Sequence, residues 1–407
     1  MAANTLASTT FFTPEHQALA ERVEEFAQAK IASLPEDESN YIARSLELLK
    51  RVAREGLLGY VVPASYGGHH RHVDIRSVCV VRRGLARHSS LADTMFAMQG
   101  LGSYPITVAG SEALKKKFLP KVAGGEWVAT FALTEPEAGS DATAIRTAAR
   151  REGDEYVIDG RKKFISNAGI ADFYVVFAKT DASQGRKGIS AIVVEKDRPG
   201  LRTQKLEVIA PHPIGEVWLE NCRVPVENRL GQEGEGFSIM MKTLESFRTT
   251  VGAAALGMGE RALEEATSYA QHRSQFGKTL GEFQGLRFML ADMATELEAS
   301  RLLVFQAAAK LDQARNGNSS AAGGAQETGM ILSSSMAKLY ATEAAQRVID
   351  RALQIHGGTG VLKGSVVERL YREIRALRVY EGTSEIQKEI IAHQLFKAGR
   401  KVAAAKA

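Results

Sequence analysis

The sequence predicts an α+β fold in three consecutive parts: helices over residues 1–127, an antiparallel β segment over 128–236, and helices again over 237–407. Three observations predict it. Leu19, Val23 and Phe26 recur at the spacing of one helix face behind Thr13-Pro14, and proline at a first helical position marks a start. From residue 127 to about 230 the chain alternates and is rich in Val, Ile, Phe and Thr. From Phe237 onward the apolar residues return to helical spacing, with Ala253-Ala254-Ala255 as a closely packing patch.

In the first part, Gly56-Leu57-Leu58-Gly59 and Pro63-Ala64-Ser65-Tyr66-Gly67-Gly68 punctuate the helices as loops. Two more helices are expected between 85 and 121, ending near Gly124-Gly125. His69, His70 and His72 read as a polar surface loop rather than a metal site. In the middle part, Tyr156-Val157-Ile158, Asp159-Gly160 and Lys163-Phe164-Ile165 read as a hairpin, with Asp-Gly supplying the positive φ angles of a tight turn. Residues 173–178 and 189–194 read as further strands. In the last part, helices are expected over 237–258, 262–272, 284–311 and 330–355, with a Gly/Ser/Asn-rich flexible loop over 316–324.

Bulk composition narrows the class. The 407 residues are 44% apolar and 24% charged, enough for a sizeable core in a chain of ordinary polarity. The net charge of +5 is mildly basic and no long Lys/Arg run exists, so no nucleic-acid partner is expected. Cys79 and Cys222 are far apart in sequence, and no metal-spaced Cys/His group is present, which argues against a disulfide framework and a zinc site. No run approaches a membrane-spanning length, and no signal-peptide pattern opens the chain, so no membrane association and a cytoplasmic location are expected.

The strongest site candidate is Val379-Tyr380-Glu381-Gly382-Thr383-Ser384-Glu385-Ile386-Gln387. Ser384 and Gln387 have capping-box spacing, and Ile386, Ile390 and Ile391 begin an apolar face, so Glu381 is expected in a turn just before a helix. With large apolar and small neighbours it would have little solvent, a raised pKa and a fixed aim, which suits a general base. The same pattern also fits a surface glutamate that merely favours a helix N-terminus. The common nucleotide signals fail. No Gly-x-Gly-x-x-Gly follows a strand; Gly277-Lys278-Thr279 lacks the P-loop's first glycine, because His272 stands there; and Gly357-Gly358-Thr359-Gly360 has no strand before it.

Four further stretches break the tie. They are Phe131-Ala132-Leu133-Thr134-Glu135-Pro136-Glu137-Ala138-Gly139-Ser140-Asp141, Phe164-Ile165-Ser166-Asn167, Arg273-Ser274-Gln275-Phe276-Gly277 with Phe283-Gln284, and Gln354-Ile355-His356-Gly357-Gly358. With the Glu381 stretch they resemble the acyl-CoA dehydrogenases over nearly the whole chain. The resemblance implies an N-terminal α-helical domain, a middle antiparallel β domain, a C-terminal four-helix bundle, and FAD as cofactor. It implies that Glu381 takes the α-proton of an acyl-CoA thioester while the β-hydrogen leaves as hydride to flavin N5, giving a 2-enoyl thioester. The Glu381 N–H and a flavin ribityl hydroxyl would polarise the thioester carbonyl, and electrons would pass to an electron-transfer flavoprotein.

Carried over residue by residue, the flavin ring falls to Phe131, Leu133, Thr134, Gly139 and Ser140, with Ser140 also meeting the thioester arm. Phe164, Ile165 and Ser166 lie along the flavin, Phe164 standing where the family commonly has Trp and keeping the ring face without the indole donor. Arg273, Gln275, Phe276, Gln284, Gln354, Gly357 and Gly358 belong to the diphosphate segments, which in the family reach one flavin from neighbouring subunits. That implies a homo-oligomer, a tetramer or dimer. Thr383 and Glu385 go to the flavin, and Gly382 to the substrate. Glu245 and Arg248, three apart on one helix face, match an acidic residue and an arginine on the pantetheine and adenine arm, although such a pair also reads as a surface ion pair. Phe247 stands where one branch of the family carries its base, and is expected to narrow the acyl pocket instead.

Two departures stand out. Ile209-Ala210-Pro211-His212-Pro213-Ile214-Gly215 replaces an Arg and small hydroxyl residues, and Arg82-Arg83-Gly84 replaces an acidic pair. Both point away from a simple fatty acyl chain. An oxygen-reacting acyl-CoA oxidase or flavin monooxygenase, and a nucleic-acid-binding flavoprotein, are the alternatives.

Overall fold

The computed structural model describes residues 11–34, 38–315 and 323–406. Helices α1 (Pro14–Phe26), α2 (Tyr41–Arg54), α3 (Ile75–His88), α4 (Ser90–Ala109) and α5 (Glu112–Ala123) come first. Strands β1 (Ala129–Ala132), β2 (Ala148–Glu152), β3 (Glu155–Ser166), β4 (Phe173–Lys179), β5 (Ile189–Glu195), β6 (Leu201–Lys205), β7 (Ile214–Pro225) and β8 (Arg229–Leu230) follow. Then come α6 (Gly236–His272), the short strands β9 (Ser274–Gln275) and β10 (Lys278–Thr279), α7 (Gln284–Arg315), α8 (Gly323–His356), α9 (Val366–Leu377) and α10 (Ser384–Lys406). The succession of helix, sheet and helix is the one expected. The chain gathers into two compact units: Asp37–Asp74 with Thr94–Leu244, and Met1–Glu36 with Ile75–Asp93 and Glu245–Ala407.

In the first unit the strands run in the order β6-β7-β3-β2-β4-β5-β8, with β1 beside β4. The pairs are antiparallel except β1 with β4 and the single step Ala148↔Lys179, so the expected antiparallel sheet is mixed at that point. The hairpin expected at Asp159-Gly160 is not there. Its turn is Gly153-Asp154, between the paired Glu152 and Glu155, and Gly153 takes the positive φ of 62°. Asp159-Gly160 instead interrupts the middle of β3, where the register to β7 shifts. The Asp159 carboxylate accepts from Asn221 N at 2.7 Å, and Gly160 is pressed so closely on Thr147 that a Cβ would lie 2.4 Å from its hydroxyl. The Asp-Gly pair thus makes a bulge, which demands the same freedoms as a turn. Every residue from Phe173 to Ala178 is buried, and Phe118 of α5 packs edge-on against Phe173 at 4.8 Å.

In the second unit α3 is the inner helix, buried along most of its length. Its first backbone amides are capped by a carboxylate from α7: Asp312 accepts from Ile75 N at 2.6 Å and Arg76 N at 3.1 Å. This start at Ile75 lies ahead of the expected helical region, because the cap comes from a residue far along the chain. Residues 237–258 and 262–272 form one continuous helix, α6. Ala253, Ala254 and Ala255 are fully buried, and Gly257 sits so near α3 that a Cβ would meet Arg83 O at 2.1 Å. The loop expected over 316–324 lies largely outside the described residues, and α8 begins at Gly323. Among the described residues no helix is long and apolar enough to cross a membrane.

Candidate active site

The Glu381 loop joins α9 to α10 and is pinned from α8. Arg378 Nε donates to Glu343 Oε1 at 2.8 Å, and the Ser384 hydroxyl donates to the same oxygen. Lys338 Nζ donates to Gly382 O at 2.7 Å, and Gln387 Nε2 turns back to donate to Gly382 O at 3.1 Å and Glu381 O at 3.3 Å. The helix cap is Thr383, whose hydroxyl accepts from Ile386 N at 3.3 Å, and not Ser384 as the spacing implied. Two adjacent hydroxyl residues competed for that position, and Glu343 claimed the second. The buried side chains in the first turns of α10 are Ser384, Gln387 and Gln394; Ile386, Ile390 and Ile391 are only half-buried.

Glu381 has φ of 53° and Gly382 φ of 92°, so two successive left-handed residues turn the chain. Val379 is 52% exposed and Tyr380 38%, less enclosed than expected, yet Glu381 Oε2 is buried without a hydrogen-bond partner among the described residues. Burial raises the Glu381 pKa against the opposing pull of Arg82, Lys338 and Arg248, with Asp93 adding to the rise. A half-desolvated carboxylate with a vacant oxygen is what abstraction of a weakly acidic proton requires.

The charged neighbours come from separate helices. Arg82 of α3 is 1% exposed; its Nε and Nη2 donate to Asp93 at 2.8 Å each, and its Nη1 donates to Thr250 Oγ1 at 2.9 Å. Thr250 in turn donates to Phe247 O at 2.7 Å. Arg248 is 3% exposed, which removes the surface-ion-pair reading. Burial lowers its pKa, with Glu245 and Glu381 opposing. Arg248 Nη1 donates to Ser335 Oγ at 3.2 Å. Phe247 is fully buried and Glu245 half-buried.

The sheet unit gathers two of the other stretches. Lys163 N donates to Thr134 O at 2.8 Å, Asn167 Nδ2 to Ala129 O at 3.1 Å, and Thr130 Oγ1 to Ser166 O. Segments 131–134 and 164–166 therefore lie side by side. Lys162, wholly buried, fixes them from behind by donating to Leu133 O, Glu135 Oε1 and Phe177 O at 3.0, 2.7 and 2.6 Å. Phe164 has φ of 58° and is 56% exposed, while Phe131 and Ile165 are buried, the Phe131 ring lying 4.8 Å from that of Phe177. Leu133, Thr134 and Ser166 are half-buried; Gly139 and Ser140 are exposed, with open space at Gly139.

The remaining stretches lie at the far end of α6. Arg273, Gln275, Phe276 and Gln284 are exposed on and after the β9–β10 hairpin, whose turn is Phe276-Gly277 at φ 53° and 77°. Gln354, Gly357 and Gly358 are exposed at the end of α8. Tyr269 links the two segments: it stacks on His356 at 4.4 Å, and its carbonyl accepts from Arg273 N at 2.9 Å. Thr383 is half-buried and Glu385 exposed. The His69 ring Nε2 donates to Gly56 O at 2.7 Å, and the ring packs on Tyr60, a loop-bracing role.

Three family models cover most of the chain: the acyl-CoA dehydrogenase N-terminal domain over residues 13–126, the middle domain over 130–222 and the C-terminal domain over 234–396. The chain belongs to the acyl-CoA dehydrogenase family. It is accordingly an oxidoreductase of a flavin-dependent family, with that family's three-domain fold. Among its relatives, the 3-(aryl)acrylate reductase of Clostridium sporogenes is 38% identical over 95% of this chain and 100% of its own. The acyl-CoA dehydrogenase of Bacillus subtilis is 38% identical over 94% and 98%, and the caffeyl-CoA reductase-Etf complex subunit CarC of Acetobacterium woodii 37% over 95% and 100%. The solved butyryl-CoA dehydrogenase of Megasphaera elsdenii aligns with a TM-score of 0.86 at 34% identity over 95% of this chain and 99% of its own. An acyl-CoA dehydrogenase complexed with FAD, from Bacillus anthracis, aligns at 0.86 and 31% over 96% and 68%.

Sequence reading singled out Glu381 but not its electrostatic setting. Arg82 appeared only as a departure, and Asp93 and Lys338 not at all. Nothing in local spacing marks a lysine in mid-helix as facing a loop more than forty residues later.

Proposed function

We propose that this chain is an FAD-dependent acyl-CoA dehydrogenase in which Glu381 is the base that removes the α-proton of an acyl-CoA thioester. The observation that carries the reading is the Glu381 carboxylate itself: left-handed backbone, one buried and unpartnered oxygen, pKa raised by burial, and a loop tied down from α8. The residues present suit a flavin. An exposed aromatic ring at Phe164 stands beside Thr134, and open backbone at Gly139 leaves room for close approach. Phe164, Ser166, Thr134 and Ser140 would hold the ring, and Arg273 and Gln354 would meet the diphosphate of a flavin held by a neighbouring copy of the chain. Bound there, FAD supplies the acceptor for the β-hydrogen.

Glu381 holds the proton that it takes at Oε2, and Lys338 and Gln387 keep its loop aimed while this happens. Phe247 and Tyr380 would limit water and acyl bulk, and Arg248 would face the substrate arm. An electron-transfer flavoprotein is the natural electron acceptor, as a relative is named a subunit of an Etf complex. The test is anaerobic titration of the yellow protein with a panel of acyl-CoA thioesters. Wild type is expected to bleach with its substrate, and Glu381→Gln to keep the flavin yet stay yellow. Bleaching of that variant would remove Glu381 from the role.

A second reading is reduction of a 2-enoyl thioester at the same site, favoured by two relatives named as reductases. Protonated Glu381 then delivers its proton to the α-carbon. Reoxidation of the chemically reduced protein by an enoyl-CoA, at a rate exceeding forward bleaching, would select this direction.

A further inference from the structure

We infer that Lys338 is a positioning residue for Glu381, holding the Glu381-Gly382 turn through the Gly382 carbonyl and supplying a buried positive charge that keeps the base ionised for proton abstraction. The inference rests on the reading of Glu381 as the base. Lys338 is 0% exposed, in the middle of α8, and its Nζ donates to Gly382 O at 2.7 Å. A buried ammonium left in such surroundings is expensive to keep unless it faces negative charge. It faces Glu381 of the loop, Glu343 of its own helix and Glu385 of α10, with Arg248 of α6 opposing. Glu381 in turn faces Arg82 of α3, Arg248 and Asp93.

Geometry gives the lysine two tasks. Gly382 at φ 92° follows Glu381 at φ 53°, a combination whose backbone strain persists only if the surroundings hold it. The Lys338 ammonium and the Gln387 amide both donate to the Gly382 carbonyl, the last of that turn. The charge acts separately. Desolvation favours the neutral acid, and a neutral Glu381 takes no proton; a neighbouring cation restores the carboxylate. Burial holds the Lys338 pKa down to about 8, so the charge is present below that pH and lost above it.

Three substitutions separate the tasks. Lys338→Met removes donor and charge, Lys338→Gln keeps a neutral donor, and Lys338→Arg keeps the charge. The first readout is an infrared titration of the protonated Glu381 carboxyl in the purified holoprotein, assigned by its absence in Glu381→Gln; it needs no turnover. The Met and Gln variants are expected to raise the Glu381 titration midpoint by about one pH unit or more, and Lys338→Arg to leave it near wild type. The second readout is the pH profile of anaerobic bleaching. Its acid limb should move with the infrared midpoint. Lys338→Arg, which stays charged, should keep the wild-type acid limb. If Lys338→Met does not fold, Lys338→Gln carries the same charge test. Unmoved infrared midpoints and unmoved limbs in the neutral variants would overturn the inference and leave Lys338 a core residue. That result, with Glu381→Gln inert, leaves the base assignment standing; bleaching by Glu381→Gln removes the base assignment and this inference with it.

Discussion

At Glu381, the proposed base, two requirements pull against each other. A base must be ionised to act, yet it must be poor enough in water to want a proton from carbon. Burial raises its pKa above the ordinary 4.5, and three cations on three helices limit the rise. The sign fixes a prediction. The carboxylate form is lost as pH falls through the raised value, so the acid limb of kcat/KM should lie above 4.5, measured by steady-state turnover across pH. A limb at or below the ordinary value would mean that another group governs the step. Glu381 was legible because turn, glycine and helix start are local signals. Arg82, Asp93 and Lys338 were not, since their contacts join residues 168 and 44 positions apart, as in Arg82 with Thr250 and Lys338 with Gly382.

Strand β3 and the start of α10 show how an element can be read correctly and placed one motif away. Asp159-Gly160 has the composition of a tight turn, but Gly153-Asp154 is one too, and cross-strand pairing chose between them. Thr383 and Ser384 both suit a cap, and Glu343 on another helix decided which became one. Such ties are settled by partners remote in sequence, so no local pattern resolves them. Within β3, Lys162 is wholly buried with Glu135 as its partner, and Glu135 also accepts from Thr147 N at 3.0 Å and Arg146 N at 2.6 Å. Lys162→Met leaves that carboxylate buried without its cation, and should destabilise the sheet by about 3–5 kcal/mol. Urea unfolding followed by fluorescence checks this; a midpoint unchanged from wild type would show that the backbone donors suffice for Glu135.

Across the molecule, the order of helix, sheet and helix was readable because periods of 3.6 and 2 are distinct. The partition into two units was not. Two of its four boundaries fall at Asp93/Thr94 and Leu244/Glu245, inside α4 and α6, where neither glycine nor proline marks a break. The surface carries another message. Phe276 is 93% exposed, Phe396 70%, Val361 64% and Phe288 60%. A further copy of this chain is the proposed cover. Sedimentation should find wild type at a multiple of the single-chain mass and Phe276→Asp shifted toward one chain; a monomeric wild type would refute the assembly.

Helix α6 acts as a ruler. Arg248 and Arg273 stand 25 residues apart on and just beyond it, which at 1.5 Å per residue is about 37 Å. Arg248 lies in the electrostatic field of Glu381, so a chain that offers Arg273 to a diphosphate offers it far from its own acid–base chemistry. One dinucleotide would not bridge that gap. Each chain would then lend its distant tip to somebody else's reaction, and diluting the assembly would loosen the cofactor before it touched the fold.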